Sequence, residues 1–295
     1  MSTTGLRPVG PRPADDLARA VAEHLQTLAA ALASPARRVR AGGDSEAIHD
    51  LRVATRRAAA GLALWATAID PDLANRARRA LARLRRRLAR TRELEVLTLQ
   101  LAAMLAGESE EVRQEGLRVV RRLSRRVAAR RVRAARLARR RRLERVALGI
   151  GQAAATAGGE RTLILAAAHR HVNQRAGDAR AALSLALAQR SDEVLHEGRL
   201  VAKRWRYAIE SLSAVTGEPS RDALKLARDL QQCLGVIHDA ALLRDELARR
   251  ARRAEQRGSK TRFEGLSRLA AKAAEARRRA VERLDSVAAA VLAGA

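Results

Sequence analysis

The chain has 295 residues, and its 59 Lys and Arg against 32 Asp and Glu give a formal net charge of +27. An excess of this size repels itself in a compact fold, so it indicates a polyanionic partner. The single cysteine excludes an intramolecular disulfide and a cysteine-ligated zinc site. No apolar run approaches the roughly 18 residues of a membrane span, and the N-terminus lacks an apolar signal-peptide core. We therefore expect a cytoplasmic protein without membrane contact.

The predicted elements are all helical. Residues 1–13 are rich in Pro and Gly and are predicted to be disordered. Apolar spacing then predicts eight helices, four in each half, over approximately 15–34, 45–69, 72–105, 109–148, 160–190, 192–216, 220–256 and 261–292. Linkers are expected at 35–43 and 149–159. This order predicts an all-α fold of two antiparallel four-helix bundles, 14–150 and 160–293.

Two sequence blocks occur twice, at nearly one offset of about half the chain. Residues 49–57 (HDLRVATRR) match residues 196–204 (HEGRLVAKR), and residues 88–94 match residues 234–240. The second block is interpreted as a turn in both halves. The repetition indicates an internal duplication that relates the two bundles by a pseudo-twofold axis.

Each copy of the first block forms a basic arc on its helix. At 100° per residue, Arg52 and Arg56 fall within about 60° of His49, and Trp65 falls on the opposite, apolar side. The second copy places Lys203 near His196, with Trp205 on the apolar side. An ordinary solvated face is the alternative, but these arcs hold almost no acidic partners for ion pairs along the helix.

A third basic stretch follows in the helix predicted over 109–148. Its arginines include Arg122, Arg126 and Arg133. Such a helix is either solvated or faces a partner, because like charges at this density repel each other.

These blocks resemble the CHAD family, the conserved histidine α-helical domain. The resemblance extends over about residues 15–292, although Ala89 and Glu93 stand where Gly and Asp are expected. It implies two bundles that face each other across a basic groove, the binding of inorganic polyphosphate, and in some members an association with polyphosphate granules. The residues expected to bind are His49, Arg52, Arg56, Arg57, Arg92, Arg122, Arg126, Arg133, His196, Arg199, Lys203, Arg204, Arg206, Tyr207 and His238. Next to phosphates, the two repeated histidines should have raised pKa values.

Other functions compete with this interpretation. A His-Asp phosphohydrolase would need more ligands converging on one metal than His49-Asp50 and His238-Asp239 offer, so no enzyme, metal or cofactor is expected. A binder of nucleic-acid backbones would use the same arginines. The near absence of aromatic residues disfavours base stacking, so we expect at most weak nucleic-acid binding. An adaptor for granule-associated proteins is the third alternative.

Overall fold

The computed structural model describes residues 14–42, 45–218 and 220–293, so the segment 1–13 lies outside the described residues. The described residues form ten α-helices, and none of them forms a strand. The helices are α1 (Ala14–Ala30), α2 (Ala33–Arg40), α3 (Ser45–Leu64), α4 (Pro71–Met104), α5 (Glu110–Leu137), α6 (Arg140–Ala154), α7 (Arg161–Gln189), α8 (Asp192–Thr216), α9 (Arg221–Glu255) and α10 (Lys260–Ala293). The all-α class is confirmed, and the internal duplication stays a prediction.

The first half differs in detail from the prediction. The linker predicted over 35–43 contains α2, in which Ala36 and Val39 are buried. Pro35 lies in the first turn of this helix, where its missing N–H breaks no helical hydrogen bond. The helix predicted over 109–148 is interrupted between α5 and α6, and α6 continues to Ala154. The second half has its four helices where they were predicted. The division at 14–150 and 160–293 stays a prediction.

Local signals in the sequence fix several helix ends. Pro71 opens α4, where its missing N–H costs nothing, and the Asp70 carboxylate accepts from the Leu73 amide at 2.7 Å. Ser191 caps α8 by accepting from the Val194 amide at 3.3 Å. Gly217 ends α8 with a φ of 73°, a left-handed conformation that glycine adopts without strain.

The apolar faces pack into three cores. The first core is built mainly from α1 to α4 and α6, and the second from α7 to α10. The third core joins the C-terminal part of α4 and α5 to the C-terminal part of α9 and the N-terminal part of α10. The long helices α4 and α9 therefore run from the core of their own half into a core that both halves share.

Both tryptophans lie in the cores, as predicted. Trp65 is 0% and Trp205 is 6% exposed. The Trp65 indole donates to the Ser211 hydroxyl at 3.2 Å, and His24 Nε2 lies 2.8 Å from the same oxygen. This buried contact ties α1 and α3 to α8, and it keeps the two helices with the repeated motif together. None of the described helices combines the length and hydrophobicity that crossing a bilayer requires.

Candidate functional site

A basic cavity lies where α3 and α4 of the first half meet α8 and α9 of the second half. Its volume is about 830 Å³. Ten of the fifteen predicted binding residues line it, namely His49, Arg52, Arg56, Arg92, His196, Arg199, Lys203, Arg206, Tyr207 and His238. The two motif helices α3 and α8 contact each other, so the structure brings the two basic arcs to one site.

Five predicted residues lie outside this cavity. Arg57 points to the side of α3, and its Nε donates to Glu210 Oε2 at 3.1 Å. Arg122, Arg126 and Arg133 are exposed on α5, because α5 turns its apolar face into the third core and leaves the opposite face to solvent. Arg204 lines an adjoining lobe, described next.

The second lobe continues the basic cavity between α3, α4, α7 and α8. It has a volume of about 700 Å³ and shares Arg56, Leu200, Lys203 and Tyr207 with the basic cavity. The cations that it adds are Arg78, Arg79, Arg85, Arg175 and Arg204. The two cavities adjoin at these four shared residues, where the two halves meet, and are together called the basic trough.

The sequence analysis missed several lining residues. Arg86 and Arg228 add positive charge, Gln231 and Gln232 add neutral polar groups, and Glu93 and Asp239 add carboxylates. These positions sit on α4 and α9, outside the repeated first block, and many similar arginines on the same helices face solvent. Only the packing of α4 against α3 and of α9 against α8 distinguishes them.

Burial leaves part of the arginine charge without protein partners. Arg52 Nη1 donates to the Arg85 carbonyl at 2.7 Å, and this bond holds the Arg52 guanidinium against α4 at the cavity wall. Arg199 Nη2 lies 3.8 Å from Asp239 Oδ1, and its Nε is buried without a hydrogen bond. Burial, and next the charge of Arg56, lower the pKa of Arg52 to about 10. Donors held in this way favour an acceptor-rich anion.

Lys203 is the most strongly perturbed cation of the cavity. It is 8% exposed, and burial together with the charges of Arg199 and Arg56 lowers its pKa to about 6. At neutral pH the ligand-free protein therefore holds this amine largely uncharged. An anion placed beside it would favour its protonation.

Two histidines from different helices meet at the cavity wall. His196 Nδ1 lies 3.2 Å from His238 Nδ1, and the ring centroids are 4.4 Å apart. Burial and neighbouring cations lower the pKa of His196 and lower that of His238 to about 4. Burial likewise lowers the pKa of His49. In the ligand-free protein the shift is thus opposite to the raised values expected beside phosphate.

The segments interpreted as turns are helical. Residues 88–94 lie inside α4, and residues 234–240 lie inside α9. Gly235 does not break α9; a Cβ at this position would lie 3.8 Å from Arg199 Nε. This is an ordinary contact distance, so the packing leaves room for a Cβ here, and the interpretation of both segments as turns was wrong.

The His-Asp pairs do not converge on one point. Asp50 faces away from the basic cavity and accepts from Arg38 Nη1 of α2 at 2.7 Å. Asp239 lines the basic cavity beside Arg199, and burial raises the pKa of its carboxyl. Among the residues that the structure describes, no three His, Cys, Asp or Glu side chains are grouped as metal ligands.

Known proteins share this architecture. The family model described as CHAD domain matches residues 19–248. The CHAD domain from the plant Ricinus communis has a TM-score of 0.67 and 22% identity, covering 98% of this chain and 97% of its own. PptA from Streptomyces chartreusis has a TM-score of 0.65 and 22% identity, covering 92% of this chain and 98% of its own. A search of curated proteins finds no match. At these identities, the two structures share the fold with this chain.

Proposed function

We propose that this chain, which belongs to the CHAD domain family, binds inorganic polyphosphate in the basic trough between its two halves. The charge of the basic cavity carries the proposal. Its lining has seven arginines and Lys203 against two carboxylates, and the second lobe adds five arginines and no carboxylate. A recess with such an imbalance concentrates the field of its charges and attracts a polyanion.

The arrangement of donors supports a phosphate chain. Guanidinium forks match phosphate oxygens in geometry, and they reach the trough from both walls. Arg199 Nε and Arg206 Nε are buried without hydrogen bonds, although Arg206 Nε lies 3.3 Å from a Glu210 oxygen. A ligand with a row of phosphate oxygens can accept from such donors, and this recognition requires no contact with nucleic-acid bases.

The trough also supports one ligand shared by both halves. Arg52 and Arg56 come from α3, while Arg199 and Lys203 come from α8, and the four line one cavity. A chain long enough to occupy both lobes contacts more cations than a short one. Long chains should therefore bind more tightly, because a chain bound in one lobe presents its remaining phosphates to the other lobe at a high effective concentration.

Titration calorimetry with polyphosphate of defined length tests this proposal. Arg52→Ala and Arg199→Ala, one from each half, should each weaken binding of long chains by about 10-fold or more, since each removes a charge-assisted hydrogen bond. Arg122→Ala/Arg126→Ala on the exposed face of α5 is the matched control and should change affinity by less than about 3-fold. Equal losses in the control and the cavity variants would place binding on the general surface charge.

Competition decides between polyphosphate and nucleic acid. Duplex DNA of the same total charge should displace polyphosphate only weakly, because the donors lie in a recess rather than on an open face. Displacement at equal charge concentration would favour the nucleic-acid backbone as ligand instead.

The proposal extends to turnover and location. Binding should proceed without release of orthophosphate, which a colorimetric phosphate assay measures after prolonged incubation. A fluorescent fusion should collect on cytoplasmic polyphosphate granules in cells that form them, and Arg52→Ala/Arg199→Ala should reduce that collection. Granule association that survives this variant would favour an adaptor that contacts granule proteins.

A further inference from the structure

A second groove, separate from the basic trough, runs along α5. It has a volume of about 920 Å³ and lies between α5, the C-terminal half of α4 and the end of α2. Its lining shares no residue with the basic cavity or the second lobe. The volume falls within the range typical of small-molecule sites, about 300–1,000 Å³.

The lining of this groove changes character along α5. Toward Ser124 it is apolar, with Val127 buried and Leu99 57% exposed, and Val132, one turn before Arg136, continues the apolar surface at 57% exposure. Toward the end of α5 it carries Arg136 and Arg139. From Ser124 to Arg136 the helix rises about 18 Å. The groove therefore suits an elongated molecule with one apolar end and one anionic end.

A buried carboxyl lies between the two ends. Glu95 is 2% exposed, and its Oε1 accepts from Arg131 Nε at 3.0 Å. Its Oε2 is buried without a hydrogen-bond partner. Burial raises the pKa of this carboxyl. An unsatisfied buried oxygen that lines a groove points to a polar group supplied by a ligand.

We propose that this groove binds a single-chain amphiphile, with its alkyl tail on Leu99, Val127 and Val132 and its phosphate or carboxylate head at Arg136 and Arg139. A phosphate polymer would leave the apolar end unused, and a neutral hydrocarbon would leave the arginines and Glu95 unused. A second copy of this chain carries the same excess of positive charge, so charge repulsion opposes its docking here.

Calorimetry with dodecyl phosphate and with dodecanoate, both below their micelle-forming concentrations, tests the proposal. Each should saturate one site, and dodecyl maltoside, with the same tail and an uncharged head, should bind at least about 10-fold more weakly. Tighter binding of dodecyl phosphate would identify a phosphate head, and tighter binding of dodecanoate a carboxylate head.

Variants assign the binding to the groove. Leu99→Asn/Val132→Asn should weaken both anionic probes by about 10-fold or more, and Arg136→Gln/Arg139→Gln should reduce their advantage over the maltoside. The matched control is Leu148→Asn/Leu163→Asn, which changes two leucines of similar exposure elsewhere, at 61% and 63%. Thermal melts of each variant check that it is folded before its affinity is compared.

Three results would overturn the proposal. Binding of many probe molecules without saturation, equal in all variants, would reflect the general positive charge. A concentration-dependent dimer that Leu99→Asn/Val132→Asn dissociates would show that a second copy covers the groove. Weaker binding of long polyphosphate by the same variant would make the groove part of the polyanion site.

Discussion

Replacing Lys203 with methionine should stabilise the ligand-free protein, although it removes a side chain proposed to bind the ligand. Lys203 is 8% exposed, and its pKa falls from 10.5 to about 6 on folding. At pH 7 the unfolded chain holds a proton that the folded chain releases, and one pKa unit corresponds to about 1.4 kcal/mol. At pH 7 the deprotonation of Lys203 on folding thus lowers the free energy of unfolding by up to about 5 kcal/mol, and structural relaxation reduces this penalty. We expect a gain of about 2–4 kcal/mol, because methionine fills the site without a charge to desolvate.

Urea unfolding at pH 7 and pH 9.5 measures this gain. The penalty is complete below the folded pKa and disappears as the pH approaches the unfolded pKa, so the gain should shrink to about 1 kcal/mol at pH 9.5. Lys225→Met changes an exposed lysine of α9 and should shift stability by less than about 0.5 kcal/mol at either pH. A loss of stability in Lys203→Met, or an equal gain at both pH values, would refute the reasoning.

Four further predictions concern the core, salt, stability in acid and proton uptake on binding. Trp65→Ala should lower the free energy of unfolding by about 3–5 kcal/mol in thermal or urea melts, because it empties a fully buried site and leaves Ser211 with one bond fewer. Polyphosphate affinity should fall with salt with a log–log slope of about −4 if roughly six phosphates are contacted, and a flat titration would contradict an electrostatic trough. Burial lowers the pKa of His24 to about 4, so acid should destabilise the folded state between pH 6.5 and 4, and His24→Gln should flatten that decline. Polyphosphate binding should take up protons at pH 7, since Lys203 and His238 are neutral in the free protein and charged beside phosphate; calorimetry in buffers of different ionisation enthalpy should show no uptake if they stay neutral.

The periodic parts of the sequence predicted the structure well. Trp65 and Trp205 lie opposite the basic arcs because a helix fixes the angle between residues three and four apart. The same rule brought Arg52 and Arg199 to the cavity once α3 and α8 packed together. Periodicity says nothing about which of many exposed arginines another helix will approach, so Arg86 was missed.

The errors have a common physical source in tertiary contacts. Residues 35–40 became helical because α2 buries Ala36 and Val39 against the first core. The Leu-Gly segment at 234–235 looked like a turn, yet Leu234 packs in the second core and the segment lies within an unbroken helix. Arg57 was assigned to the cavity by motif position alone, and its lateral angle on α3 instead directs it to Glu210.

The third core determines how the trough can respond to a ligand. Leu94 and Leu101 of α4 share this core with Leu243 and Leu247 of α9, and these are the helices that carry opposite walls of the basic cavity. Moving the two walls apart would expose leucines that are now 0–1% exposed. The free-energy cost of exposing them would exceed the cost of bending a flexible phosphate chain to fit the cavity. The spacing of the arginines is therefore set before the ligand arrives. Under the proposed function, a polyphosphate chain would therefore adapt to the protein, and its lost conformational freedom would be the main entropic cost of binding.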